Sequence, residues 1–249
     1  LSAQRQAAWS DVARRIAHEI KNPLTPIQLS AERLKRRYLK QIEDKPEIFE
    51  TCTDTIISQV GDIARMVDEF SSFARMPAPR VDEHDMVDIA RRVISLQGSA
   101  FEGVRLEDQT GVGPVRVRCD QQLVSQSLIN LIKNSAEALQ AAIIDGHMQD
   151  GLIRVRLEQE ENGSTVLTIN DNGHGYPVDL LPKLAEPYVT TREKGTGLGL
   201  AIVKKIMEDH GGQLVLANGD GPDDLPGAKA QMIFPPLGTN TSESGEASL

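Results

Sequence analysis

Cysteine is scarce. Cys52 and Cys119 are the only two in 249 residues, far apart and without C-x-x-C spacing. That argues against a disulfide framework or a structural zinc site and makes a reducing compartment the default. Both thiols read as packing residues. No apolar run approaches the roughly 18 residues of a spanning helix, and the N-terminus lacks the charged-then-apolar layout of a signal peptide. Basic charge is outnumbered, 27 Lys plus Arg against 36 Asp plus Glu, for a net charge of −9. There is therefore no general field for nucleic acid or an anionic membrane, and any anion site must be local. What is present is length enough for one large domain or two small ones. The chain begins at Leu1, and Trp9, Val12, Ile16 and Ile20 already follow a helical period. The first helix is thus expected to start upstream, in a longer protein.

From Trp9 to Tyr38 the apolar positions Trp9, Ile16, Ile20, Leu24, Ile27, Ala31, Leu34 and Tyr38 predict one long amphipathic helix. After Asp44-Lys45-Pro46 a second stripe runs through Ile48, Cys52, Ile56, Val60, Ile63, Val67, Phe70 and Ala74 to Met76-Pro77-Ala78-Pro79. Two helices cannot cover both stripes, so a second copy of the hairpin is expected to complete a four-helix bundle, making a homodimer. Beyond the prolines the pattern becomes α/β. Helices are expected at Met86–Leu96 and Gln121–Ile144, and strands at Val115–Val117, Leu152–Leu157, Thr165–Ile169, Gln213–Leu216 and Lys229–Phe234. The overall class is α+β: a hairpin domain over 1–76, a linker over 77–84, an α/β sandwich over 85–237 and a disordered tail over 238–249.

On a helical wheel starting at Ile16 the stripe falls between about 0° and 80°, while His18 lies near about 200°. Asn22 at about 240° and Glu19 at about 300° share that outer face, so an imidazole, a carboxylate and an amide cluster where solvent reaches them. Pro23 removes a backbone donor and crowds the carbonyl of Glu19, loosening the helix beside His18.

Downstream, Asn130 and Asn134 in Asn130-Leu131-Ile132-Lys133-Asn134 stand at i and i+4, where both amide oxygens reach one hard cation such as Mg2+. Asp171-Asn172-Gly173-His174-Gly175 ends an expected strand, where a loop can put a carboxylate and closely approaching backbone into a cleft. Gly195-Thr196-Gly197-Leu198-Gly199-Leu200 precedes an apolar helical run, so backbone N–H groups at a helix start can approach phosphate. Arg192 and Lys194 could neutralise phosphate charge. His210-Gly211-Gly212 reads as a helix stop.

Taken in this order, the segments resemble the catalytic core of two-component sensor histidine kinases. His18-Glu19-Ile20-Lys21-Asn22-Pro23-Leu24 is similar to the H box and Asn130 to Ala138 to the N box, with Ser135 where Ala is commoner. Asp171 to Gly175 is similar to the G1 box, Pro187 to Arg192 to the F box and lid, and Gly195 to Leu200 to the G2 box. Tyr188 replaces the usual Phe and is expected to keep its ring packing. The resemblance extends over nearly all of 5–236, and Ala17 to Arg33 is similar to the nitrogen-regulation branch of the family.

It implies a GHKL-type (Bergerat) ATP-binding domain using ATP and Mg2+. Asp171 would accept a hydrogen bond from the adenine amino group, and Asn130 and Asn134 would hold the metal. Gly173, Gly175, Thr190, Arg192, Lys194, Gly195, Thr196, Gly197, Leu198 and Gly199 would surround the nucleotide. The neutral imidazole of His18 would attack the γ-phosphate, Glu19 would hold or take the ring proton, and Asn22 would position water in a phosphatase reaction. The expected partners are a second copy and a response-regulator receiver domain, with no nucleic acid and no membrane contact. An upstream membrane-anchored sensor region is also implied, making this the cytoplasmic portion of an inner-membrane bacterial kinase. Two alternatives are weighed. A GHKL-type ATPase would hydrolyse ATP, but Asn130 stands where those families place a glutamate base. A phosphatase-dominant scaffold would bind nucleotide without net kinase activity.

Overall fold

Proline in a helix interior normally breaks it, yet the first helix, α1 (Ser2–Tyr38), runs unbroken through Pro23 and Pro26. Both prolines lie on the exposed side, so the carbonyls they leave unpaired face water. Lys35, Arg36 and Arg37 in its last turn oppose the negative end of the dipole. A short 3-10 turn, Leu39–Gln41, leads to α2 (Pro46–Ala74), which starts on a proline whose missing N–H costs nothing there. The computed structural model describes residues 2–74, 76, 78–190, 195–221 and 224–238, without the side chains of 2–15, 72 and 73. The side chains of the stripe residues Trp9 and Val12, the lid residues Arg192 and Lys194, and the tail 239–249 therefore lie outside what the structure describes.

Small and β-branched side chains form the α1–α2 seam: Ala17 and Ala31 on one helix, Thr53, Val60, Val67 and Ser71 on the other, all buried. Lys35 Nζ bonds Asp54 at 2.6 Å and Glu50 at 3.1 Å, and Lys21 bonds Asp68, which sets the antiparallel register. The larger residues of the expected stripes, Ile16, Ile20, Ile27, Leu34, Ile56 and Ile63, stay 39 to 47% exposed. One hairpin does not cover them. Cys52, in the second stripe, is likewise exposed on the single hairpin. Cys119 is buried, and burial followed by the neighbouring Asp120 charge pushes its thiol up to about 12.

The chain divides into two units, one of residues 1–77 with 190–198 and one of 78–189 with 199–249. Residues 82–84, read as linker, belong to β1 (Asp82–Asp85), which pairs antiparallel with β3 (Arg116–Cys119). Asp85 ends that strand and caps α3 (Met86–Gln97), accepting from Val87 N at 3.0 Å and Val115 N at 3.1 Å. The main sheet has the order β2-β4-β5-β7-β6, with β2 (Val104–Gln109) parallel to β4 (Gly151–Gln159). β5 (Thr165–Asp171), β7 (Ala228–Phe234) and β6 (Gln213–Asn218) continue it antiparallel. Strand β2 was not anticipated. Its alternating Arg105, Glu107 and Gln109 offer too little apolar signal.

Helices α3, α4 (Gln121–Ile144) and α5 (Gly199–Asp209) pack on this unit's sheet. Along β4 the residues Ile153, Val155 and Leu157 are buried while Leu152, Arg154 and Arg156 are half-exposed, the period of a sheet covered on one face. The core joins Ile89 and Val93 of α3, Leu128, Leu131, Ile132 and Leu139 of α4, and Val203 and Met207 of α5 to the inner face of the sheet.

Candidate functional site

His18 is exposed on α1, as the wheel requires, with Ala17 buried against α2 beside it. Glu19 follows, also exposed, and Asn22 lies one turn on, exposed as well. These three side chains share the outer surface of one helix, which is the accessibility a group exchanged with a separate domain requires.

In the second unit α4 carries Asn130 and Asn134, both half-buried and one turn apart. Helix α5 starts at Gly199, where a Cβ would stand 3.6 Å from the Asn134 side-chain nitrogen and 3.9 Å from its oxygen. The start of the glycine-turn helix and Asn134 are therefore neighbours. The absence of side chain at Gly199 leaves its backbone open beside that amide, a fit for anionic phosphates and a hard cation. Asp171 ends β5 and is buried, only 3% exposed. Its Oδ1 accepts from Gly173 N and from Ala228 N, both at 3.0 Å, and its carbonyl accepts from Gly227 N at 2.9 Å. A buried carboxylate fixed this way suits recognition of a hydrogen-bond donor on a flat ring. Gly175 takes a left-handed φ of 77°, and a Cβ there would meet Asn218 Oδ1 at 2.6 Å. Glycine takes that turn without strain, and a side chain there would have to displace the Asn218 amide.

Gly195, Thr196, Gly197 and Leu198 belong to the first unit, as does Thr190, which is exposed. The Thr196 hydroxyl donates to the Glu69 carboxylate, accepts from Leu198 N at 3.3 Å, and precedes Gly197 at a φ of 69°. Tyr188 departs from expectation. It holds a left-handed φ of 67° and is 60% exposed rather than packed. His174, in the same loop as Asp171, meets His147 edge to face with ring centroids 5.8 Å apart.

Several supporting residues escaped sequence reasoning. Asn172 Oδ1 accepts from Leu152 N at 2.7 Å and its amide donates to the Asp150 carbonyl at 3.2 Å, tying the Asp171 loop to β4. His210, read as a helix stop, is buried; its Nε2 accepts from Asp120 N at 2.8 Å, and its Nδ1 lies 2.7 Å from the Ile206 carbonyl. It thereby joins the end of α5 to the cap of α4. Gly227, in a loop more than fifty residues away that Asn170 anchors through Leu225, braces Asp171, and no short-range signal exists for that contact.

Comparison with known proteins gives two family matches. Residues 8–79 match the His Kinase A (phospho-acceptor) domain, and residues 119–239 match the Histidine kinase-, DNA gyrase B-, and HSP90-like ATPase. The chain is 56% identical over 225 residues to the Nitrogen regulation protein NtrY of Azorhizobium caulinodans, covering 90% of this chain and 28% of that protein. It is 40% identical over 216 residues to a Putative sensor histidine kinase NtrY-like of Rickettsia bellii, 87% of this chain and 34% of that one. The chain thus spans about a third or less of these curated relatives. Among solved structures, the histidine kinase ThkA in complex with the response regulator protein TrrA superposes with a TM-score of 0.63 at 24% identity, over 94% of this chain and 63% of that one.

Proposed function

Because the chain belongs to the histidine kinase family, we propose that it transfers the γ-phosphoryl group of ATP to His18 and passes it on to an aspartate of a response-regulator receiver domain. The observation that carries this reading is the exposed His18-Glu19-Asn22 face within the phospho-acceptor match, in one chain with Asn130, Asn134 and the buried, fixed Asp171 of the ATPase match. The neutral imidazole of His18 supplies a lone pair to phosphorus while the bond to the β,γ-bridging oxygen breaks, and Glu19 holds or takes the ring proton. Asp171 selects the adenine amino group. Asn130 and Asn134 are the residues that would hold Mg2+, which offsets charge on the phosphates. Thr190, Arg192, Lys194 and the 195–199 turn would enclose the phosphates. Asn22, one turn from His18, would position water for dephosphorylation of the regulator.

The half-exposed isoleucine stripe supports a homodimer through a four-helix bundle. The resemblance to nitrogen-regulation sensors supports an NtrX-like regulator and an inner-membrane anchor outside this chain, with the present residues on the cytoplasmic side. Among the described residues no helix is long and apolar enough to cross a membrane.

The test is incubation of the chain and its His18→Gln variant with γ-labelled ATP and Mg2+. Acid-labile, alkali-stable label lost in the variant is expected. ATP hydrolysis unaffected by the variant would overturn the reading in favour of an ATPase, and bound ATP without label in either protein would favour a phosphatase-dominant scaffold.

A further inference from the structure

Asp171 is not held by its own loop alone. Its neighbour Asn170, 2% exposed, donates through Nδ2 to the Leu225 carbonyl at 3.1 Å and the Ala228 carbonyl at 3.0 Å, while its Oδ1 accepts from Leu225 N. Between those two anchors sits Gly227. A Cβ at Gly227 would fall 2.2 Å from Asp171 Oδ1, 2.5 Å from the Asp171 carbonyl oxygen and 2.5 Å from Gly173 N. No side chain fits there without moving Asp171, and two of the three clashes are with backbone that cannot rotate away. The approach of Gly227 is also what lets its own N–H, and that of Ala228, reach Asp171. The loop between β6 and β7 therefore fixes both the position and the rotation of the carboxylate at the end of β5.

We infer that Asn170 and Gly227 are positioning residues for purine selectivity, acting through Asp171. The inference rests on the assignment of Asp171 to adenine. Adenine offers an amino donor where guanine offers a carbonyl acceptor, so a carboxylate held in one place attracts the first and repels the second. A carboxylate displaced by a few tenths of an ångström or free to turn gives up that contrast.

The experiment measures affinities of the full chain for ATP and GTP in wild type, Asp171→Asn, Gly227→Ala, Asn170→Asp and Gly163→Ala, together with KM and kcat for His18 labelling and each variant's melting temperature. Asn170→Asp keeps the shape but presents an acceptor to two carbonyls. Gly163→Ala is a stability control in the β4–β5 turn, at a φ of 86° and beyond the opposite end of β5. Asp171→Asn is expected to lose the ATP preference. Gly227→Ala and Asn170→Asp are expected to lower the ATP-to-GTP affinity ratio by about tenfold or more, the scale of one hydrogen bond to a charged group. They should raise KM far more than they lower kcat, while Gly163→Ala lowers the melting temperature with the ratio intact. If Asp171→Asn loses the preference but Gly227→Ala and Asn170→Asp keep the wild-type ratio, the inference is overturned and the adenine assignment stands. If Asp171→Asn itself keeps the preference, the assignment fails and the inference with it. A Gly163→Ala ratio that falls in step with melting temperature would reduce the effect to general destabilisation and overturn it as well.

Discussion

Single residues at joints carry much of the site's geometry, and Asp120 illustrates how. Its side chain caps α4 by accepting from Gln122 N at 3.0 Å and Leu123 N at 3.2 Å, and it also accepts from Arg80 N at 2.9 Å. Burial pushes its carboxyl up, but those three N–H groups outweigh it and hold the group below its ordinary 3.8. A carboxyl depressed in the folded state stabilises above the unfolded value and loses that contribution as pH falls through the folded one. Asp120→Ala is therefore expected to lower stability by about 1 to 2 kcal/mol at neutral pH. The gap to wild type should close as pH drops below 3.8. Urea midpoints across that range check it, and a gap constant with pH would contradict it. Asp120 precedes an apolar helical pattern, so its cap was foreseeable; its bond to Arg80, forty residues earlier, was not.

At the scale of elements, α4 does two jobs with one amphipathic period. Its outer side bears Asn130 and Asn134, and its inner side buries Leu128, Leu131, Ile132 and Leu139 completely or nearly so. Leu139 reaches the strand ends that flank the Asp171 loop: a Cβ on Gly151 would stand 3.1 Å from its Cβ, and one on Gly173 would stand 3.3 Å from its Cδ2. Leu139→Ala should cost about 3 to 5 kcal/mol by opening a cavity in a site that glycines already crowd and that cannot collapse. Denaturant unfolding with an unchanged slope is the readout, and nucleotide affinity should fall alongside. The period of α4 was legible residue for residue because its apolar positions repeat without interruption. Strands β1 and β2 were not: β1 is Asp82-Glu83-His84-Asp85 and β2 is largely charged, so pairing partners rather than side chains make them strands. Tyr188 shows the same limit in a loop, where a residue whose ring chemistry favours packing takes a left-handed φ and stays exposed.

At the scale of the molecule the hairpin stands out as incomplete. Its internal seam is built of small residues, while Ile27, Leu34, Ile56 and Ile63 remain 41 to 47% exposed. Exposed aliphatic rows of this length signal a further burial partner. The chain should sediment as a dimer of its 27.2 kDa mass, and Ile27→Asp with Ile56→Asp should return it to a monomer that still binds ATP through the second unit. A wild type that remains monomeric at high micromolar concentration would contradict the bundle.

By itself the sequence determined the order of the chemistry: a solvent-facing His18 beside Glu19 and Asn22, paired Asn130 and Asn134, Asp171 at a strand end and a glycine turn before a helix. It could do so because helical and strand periods and glycine's freedom are local properties, readable within a few residues of each position. Only the tertiary structure decided what holds those groups still. Gly227 meets Asp171 and Asn170 meets Ala228 across a strand pairing, and His210 meets Asp120 ninety residues apart. Such contacts are set by sheet order and close approach, which no local pattern along the chain encodes.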